Sequence, residues 1–250
     1  MYASILTVTA FALAALSAPV HAETADIFHA TLGETSPTVD ISTAEMRQVL
    51  EDGSALIIDT RTVAEFESGH IPGAKLVERT SKTAVATVAK ITADNKAAKL
   101  VLYCNGPYCQ ASRHLARDLV AAGYTNVTRY QLGLPVWRAL GGGPLAVEQN
   151  WVVQTFKADR TAIFVDTRSA AEFAKSTLPN ALNIPADELA AGKLKRLPLP
   201  DDDFNRRIVL FGNDGTQARK VAEALSKRPW HNVAYFSGRL ADLHAALPAH

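Results

Sequence analysis

Short, mostly apolar runs recur along the chain and indicate buried strands. In the first half of the sequence they are Leu56–Ile58, Ala74–Val77, Leu100–Tyr103 and, more weakly, Val127–Tyr130. Strands that are buried on both faces lack the alternation of apolar and polar residues that marks a half-exposed strand. The runs therefore predict a mostly parallel sheet with helices on both faces.

Stretches with helical spacing lie between these runs. Ser42 and Glu45 are spaced as a capping box, and the apolar residues that follow them fall on one helical face. A second helix is predicted over Ala111–Ala122, ending at Gly123. Strands that alternate with helices predict an α/β fold, in which ligands bind beyond the carboxyl ends of the strands. Cys104 lies at such an end.

The whole pattern occurs twice. Residues 57–77 and 164–184 align at an offset of 107 residues and share the sequences D-T-R and A-E-F. This period is too long for a solenoid, whose repeats run to roughly 50 residues. We therefore predict two tandem domains, over 38–145 and 146–247, separated near the glycine-rich run that ends at Pro144.

Residues 1–22 have a different composition. They contain no Asp, Glu, Lys or Arg, have an apolar centre, and end in Val20-His21-Ala22. This pattern predicts a secretory signal peptide that is cleaved after Ala22. We therefore expect a periplasmic protein in an oxidising compartment, with no stable membrane association after cleavage.

The overall composition excludes several classes of protein. The chain has 26 basic and 25 acidic residues, and 48% of its residues are hydrophobic. This balance argues against nucleic-acid binding, which needs a basic excess, and against wholesale disorder. With only two cysteines, neither a disulfide scaffold nor a four-cysteine zinc site can form.

The loop after the third strand carries the candidate chemistry. It consists of Cys104, Asn105, Gly106, Pro107, Tyr108, Cys109 and Gln110. Backbone N–H groups of a short curled loop can converge into an anion-binding nest, and the next helix points its positive end at the loop. Both effects favour the thiolate form of a cysteine at the start of the loop. A buried structural cysteine is the alternative interpretation.

These residues resemble the rhodanese family of sulfurtransferases. The resemblance is carried by Asp59-Thr60-Arg61, Glu65-Phe66, the segment Gly69–Ala74 and the strand-end Tyr103-Cys104. It implies two tandem rhodanese-like domains, each with a central, mostly parallel sheet. It also implies that Cys104 takes sulfane sulfur from a donor such as thiosulfate or a persulfide, holds it as a persulfide, and passes it to a thiol acceptor. The other loop residues, from Asn105 to Gln110, would bind the substrate.

Two features of the loop depart from the family pattern. The loop lacks the basic side chains that usually hold an anionic donor, and the nearest such residue is Arg113 in the following helix. The loop also contains a second thiol, Cys109. It is either a packing residue at the start of the helix or a partner that resolves or accepts sulfur from Cys104.

The second half has lost the nucleophile. Gly212 aligns with Cys104, and no cysteine follows residue 109. The second domain is therefore expected to be inactive, to pack on the first, and to form part of the pocket wall. Asp59 and Arg61 recur in this half as Asp166 and Arg168, so a structural ion pair is the favoured interpretation.

Two other functions stay open at this stage. Cys104 and Cys109 could form the redox pair of a thiol–disulfide oxidoreductase, or catalysis could be lost in a binding module. A phosphatase would need Arg at position 110, where this chain has Gln. A metal site of Cys104, Cys109 and His114 is a weak alternative, and we expect neither a metal nor another cofactor.

Overall fold

A computed structural model describes residues 38–79, 82–140 and 143–247. Two five-stranded parallel sheets flanked by helices make up this part of the chain, which confirms the predicted α/β class and the tandem arrangement. The predicted signal peptide, residues 1–22, lies outside the described residues. No helix among the described residues is long and apolar enough to cross a membrane.

The first sheet has the strand order β1-β5-β4-β2-β3. Its strands are β1 (Val39–Asp40), β2 (Leu56–Asp59), β3 (Lys75–Leu76), β4 (Leu100–Tyr103) and β5 (Val127–Tyr130). Its helices are α1 (Thr43–Asp52), α2 (Val63–Glu67), α3 (Ala84–Ile91), α4 (Gln110–Ala121) and α5 (Gly133–Ala139). All neighbouring strands run parallel.

Apolar side chains pack on both faces of this sheet. Leu100 and Leu102 point into a core that includes Leu115 and Leu119 of α4. Val101 and Tyr103 point into the opposite core, with Met46 of α1. Every residue of β4 is buried, as expected for a continuous apolar strand between two helical layers.

The second sheet repeats this order as β6-β10-β9-β7-β8. Its strands are β6 (Leu145–Val147), β7 (Ile163–Asp166), β8 (Leu182–Asn183), β9 (Ile208–Phe211) and β10 (Val233–Phe236). Its helices are α6 (Gln149–Ala158), α7 (Ala170–Lys175), α8 (Ala186–Ala190), α9 (Gly215–Ser226) and α10 (Leu240–Ala246).

The two halves join through backbone hydrogen bonds. The N–H of His70 donates to the carbonyl of Ala146 at 2.9 Å, and the N–H of Ala146 donates back at 3.0 Å. Leu145, the first residue of β6, packs into the core of the first half. The prediction that the second half packs on the first is therefore confirmed.

Candidate active site

Cys104 follows the buried central strand β4, between the carboxyl ends of β2 and β5. The residue is only 3% exposed. Its backbone carbonyl accepts a hydrogen bond of 3.0 Å from the N–H of Leu134, in the first turn of α5. The sheet and α5 therefore hold the start of the loop from two sides.

Gly133 allows this close approach of α5. Its φ is +67°, and a Cβ atom at this position would overlap the carbonyl oxygen of Cys104 and the backbone nitrogen of Gly106. The lack of a side chain at Gly133 thus lets α5 lie directly against the backbone of the loop. Sequence reasoning missed this residue, because the contact joins segments almost thirty positions apart.

The two cysteines of the loop form a disulfide. Their Cα atoms are 6.1 Å apart, within the range of roughly 4.4–6.8 Å that a disulfide requires. Cys109 is the N-cap residue of α4, and its N–H donates to the carbonyl of Gly106 at 3.0 Å. In this state neither sulfur is a free thiol. A nucleophilic Cys104 therefore requires prior reduction.

A cavity of about 350 Å³ lies beside the disulfide. It is lined by Thr60, Arg61, Thr62, Glu65, Arg79, Cys104, Asn105, Cys109, Ala111 and His114. These residues come from the carboxyl ends of three parallel strands and from the N-terminal parts of α2 and α4, as expected for a parallel α/β sheet. All of them belong to the first half, so the prediction that the second half forms part of the wall is wrong.

The residues predicted to bind substrate divide into two groups. Asn105 and Cys109 line the cavity together with Cys104. The others lie in the same loop but do not line it: Gly106, Pro107, Tyr108 and Gln110. Tyr108 is 76% exposed at the tip of the loop.

The side chain of Asn105 ties the loop to α2. Its amide donates to the carboxylate of Glu65, which also completes a capping box with Thr62. Burial opposes ionisation, but hydrogen bonds from Thr62 and Asn105 lower the pKa of Glu65. The second half repeats the tie between Asn213 and Glu172 at 2.9 Å, without any cysteine. This contact is therefore part of the scaffold.

Asp59 and Arg61 form a buried ion pair beneath the cavity. The Arg61 guanidinium donates to the Asp59 carboxylate at 2.6 Å and to the carbonyl of Gly69 at 2.7 Å. The hydroxyl of Tyr103 donates to the same carboxylate, and burial raises the pKa of Tyr103 well above its ordinary value. The corresponding pair in the second half is 2.7 Å long, which confirms the structural interpretation.

Arg79 supplies a positive charge that the loop itself lacks. One of its terminal nitrogens lies 3.0 Å from the carboxylate of Asp118 on α4. Its Nε–H is buried and has no hydrogen-bond partner. An unsatisfied buried donor costs roughly 1–3 kcal/mol. Sequence reasoning missed Arg79, although its position just beyond β3 was the signal.

The corresponding loop of the second half is filled by its own side chains. Asp214 caps α9 by accepting from the N–H of Gln217 at 2.8 Å. The side-chain oxygen of Gln217 accepts from the N–H of Asn213 at 3.0 Å. A Cβ atom at Gly212 would lie 2.5 Å from both Gln217 and Thr167. A cysteine at this position would therefore have to displace the side chains of Gln217 and Thr167.

The structure contains a second cavity away from the two cysteines. A larger cavity of about 740 Å³ is lined by residues of both halves, including Arg138, Trp151 and Arg228, but by neither cysteine. Among the described residues, no group of three or more His, Cys, Asp or Glu side chains could hold a metal ion.

Comparisons with known proteins identify similar domains. A family model for the rhodanese-like domain matches residues 42–140 and again 148–246. An HTH-type transcriptional regulator of Mycobacterium tuberculosis is 33% identical over 112 residues, which are 42% of this chain and 44% of the regulator. The chain therefore spans less than half of that curated relative.

The chain is also similar to parts of proteins of known structure. EanB in complex with hercynine is 17% identical, with a TM-score of 0.38 over 86% of this chain and 62% of EanB. Thiosulfate sulfurtransferase from Pseudomonas aeruginosa is 21% identical, with a TM-score of 0.36 over 87% of this chain and 46% of that protein.

Proposed function

The chain belongs to the family of rhodanese-like domain proteins, and on that premise we propose that it is a sulfurtransferase. It moves sulfane sulfur from a donor to a thiophilic acceptor through a persulfide on Cys104. The first domain is active, and the second, which has Gly212 in place of the cysteine, is not.

One observation carries this proposal. Cys104 directly follows the central strand of a parallel sheet, and its curled loop leads into the N-terminus of α4 beside a cavity. Once reduced, its sulfur lies close to Cys109 at the N-terminus of α4, and the positive end of a helix favours a thiolate. A cysteine that served only to fill the core would not need a neighbouring cavity.

The reaction has two displacement steps. The Cys104 thiolate attacks the outer sulfur of the donor, forming a persulfide and releasing sulfite when the donor is thiosulfate. A thiol acceptor then attacks the outer sulfur of the persulfide, and Cys104 leaves as a thiolate. Because the structure has Cys104 in a disulfide, a reductant must open that bond before the first turnover.

Arg79 favours an anionic donor. Arg79 lines the cavity and carries a guanidinium group. A charge-assisted hydrogen bond from this group would hold the sulfonate of thiosulfate or a persulfide anion. Arg79 thus takes the part that basic loop residues play in the family.

A thiol–disulfide oxidoreductase is the second candidate function. It is favoured by the disulfide between Cys104 and Cys109, which lines the same cavity. Such an enzyme would exchange electrons with other dithiols and would gain no sulfur atom from a donor.

Two serine variants test the proposed function. Cys104→Ser and Cys109→Ser both remove the disulfide, but only the first removes the proposed nucleophile. After reduction and addition of thiosulfate or a small-molecule persulfide, Cys109→Ser should gain the mass of one sulfur atom. Cys104→Ser should gain none, and its rate of transfer should fall by several orders of magnitude.

The opposite outcome would reject the assignment. Sulfur loading by Cys104→Ser at the rate of the reduced wild type would show that Cys104 is not the nucleophile. Loading by none of the proteins, together with rapid reduction of a test disulfide by the wild type alone, would support the redox function instead.

We also propose that the protein is exported to the periplasm. The uncharged apolar segment that ends at Ala22 supports this location. N-terminal sequencing of the protein from the periplasmic fraction should begin at Glu23. A chain that keeps Met1 in the cytoplasmic or membrane fraction would contradict it.

A further inference from the structure

The loop holds a second sulfur within bonding distance of the proposed nucleophile. Cys104 and Cys109 are joined with their Cα atoms 6.1 Å apart, and both line the same cavity. Reduced Cys109 can therefore return to the Cys104 sulfur without a rearrangement of the fold. Since the chain has no other cysteine, an intramolecular thiol that reacts with Cys104 can only be Cys109.

Cys109 is also placed to act as a nucleophile. It is the N-cap of the twelve-residue helix α4, and its side chain makes no capping hydrogen bond. The positive end of a helix favours a thiolate over a thiol at this position. Cys109 is moreover less buried than Cys104, so an external reductant reaches its sulfur more easily.

We propose that Cys109 resolves the Cys104 persulfide, so that the protein releases sulfane sulfur as hydrosulfide. This inference rests on the proposed function, because it starts from the loaded Cys104. The resulting activity is a dithiol-dependent reduction of sulfane sulfur, which differs from sulfur transfer to an acceptor.

The step balances within the loop. The Cys109 thiolate attacks Sγ of Cys104, the inner sulfur of the persulfide, and a new bond forms between the two cysteine sulfurs. The bond between Sγ and the outer sulfur breaks, and the outer sulfur leaves with the bonding electrons and its proton as hydrosulfide. The two cysteines are oxidised to the disulfide, and the sulfane sulfur is reduced.

A dithiol reductant completes the cycle. Its first thiolate attacks the more accessible sulfur, that of Cys109, and frees the Cys104 thiolate. Its second thiol then displaces Cys109 from the mixed disulfide, so that the reductant leaves as its own disulfide. The disulfide that the structure holds is the product of the resolving step and the substrate of this reduction.

The test follows both products of one turnover. Reduced full-length protein, freed of reductant, is mixed with one equivalent of thiosulfate, and sulfite, sulfide and intact mass are measured. The wild type should release one sulfide for each sulfite and lose two hydrogens. Cys109→Ser should release sulfite without sulfide and keep one added sulfur atom. Cys109→Ala should behave like the serine variant.

The outcomes separate the inference from the proposed function. If Cys109→Ser gains sulfur and the wild type also keeps it without releasing sulfide, resolution by Cys109 is overturned while the transferase stands. Equal rates of sulfide release from the wild type and both variants would overturn it too. If no protein gains sulfur or releases sulfite with either thiosulfate or a persulfide donor, the proposed function itself fails. The reduced wild type also lacks the disulfide. Its activity therefore shows whether the protein still folds when that bond is absent, as it is in both variants.

Discussion

Gly133 lies against the catalytic loop and offers a test of how the loop is held. In Gly133→Ala the new Cβ would overlap the carbonyl of Cys104 and the N–H of Gly106, and would lie 2.8 Å from Cα of Gly106. Real Cβ atoms almost never come closer than 3.0 Å to such neighbours. Because these neighbours are backbone atoms in a packed interior, the loop must move by roughly half an ångström or more.

The shift should reduce both the rate of sulfur loading and the stability of the fold. A misplacement of about 1 Å at a reacting group can cost about 100-fold in rate. We therefore expect single-turnover sulfite release from thiosulfate to fall by roughly 10- to 100-fold. Alanine in a left-handed conformation costs about 1–2 kcal/mol, and overpacking adds about 1–3 kcal/mol. Urea unfolding measures this loss.

Gly53→Ala is the matched control. Gly53 ends α1 with a φ of +63°, close to the +67° of Gly133, but a Cβ there would meet nothing within 4 Å. It should therefore lose the same 1–2 kcal/mol from backbone strain and load sulfur at the wild-type rate. If Gly133→Ala also loads sulfur at the wild-type rate, α5 does not position Cys104 and the reasoning is refuted.

Three further predictions concern the donor, the inactive half and the pH dependence of stability. Arg79→Gln should raise KM for thiosulfate by roughly 10- to 100-fold through loss of a charged hydrogen bond. The control is Arg117→Gln, which removes another cation beside the same Asp118 carboxylate but outside the cavity, and it should leave KM unchanged. Equal effects of the two variants on KM would show that only the general charge matters. Gly212→Cys should gain no sulfur when combined with Cys104→Ser, and a mass increase there would contradict the blocked loop. Burial lowers the pKa of His70 in the folded protein, so the unfolded chain binds a proton that the folded one does not. The free energy of unfolding should therefore be highest above the ordinary pKa of 6.5 and fall as the pH drops below it. His70→Phe should weaken this pH dependence. If the free energy of unfolding of the variant falls with pH as steeply as that of the wild type, His70 is not the cause.

Much of the fold was predictable because it depends on local sequence. The strands β4 and β5 have the predicted bounds, since short apolar runs in the sequence mark buried strands. The capping box of Ser42 with Glu45 is confirmed, because the two partners are three residues apart.

Elements without such signals were not predicted. The strand β1 has two residues, and Val39 is 72% exposed, so no apolar run marks it. The helix α3 begins after Thr83 without a side-chain cap and contains several β-branched residues. Such residues have low helix propensity, and here tertiary packing decides the conformation.

The candidate site was predictable in part for the same reason. The cysteines and Asn105 lie in one segment, so the sequence placed them together. Arg79 comes from beyond another strand, and Gly133 comes from a later helix. Their approach to Cys104 depends on the order of the strands in the sheet and on a backbone contact. Neither can be predicted from residues that are close together in the sequence.

The position of the transferred sulfur is the most direct measure of whether Cys104 is the nucleophile. Reduced Cys109→Ser is mixed with thiosulfate, quenched with an alkylating reagent, digested and analysed by tandem mass spectrometry. If Cys104 is the nucleophile, the peptide containing Cys104 carries one extra sulfur between the cysteine and the alkyl group. A peptide in which Cys104 is alkylated directly, with no extra sulfur after either thiosulfate or a persulfide donor, would contradict it.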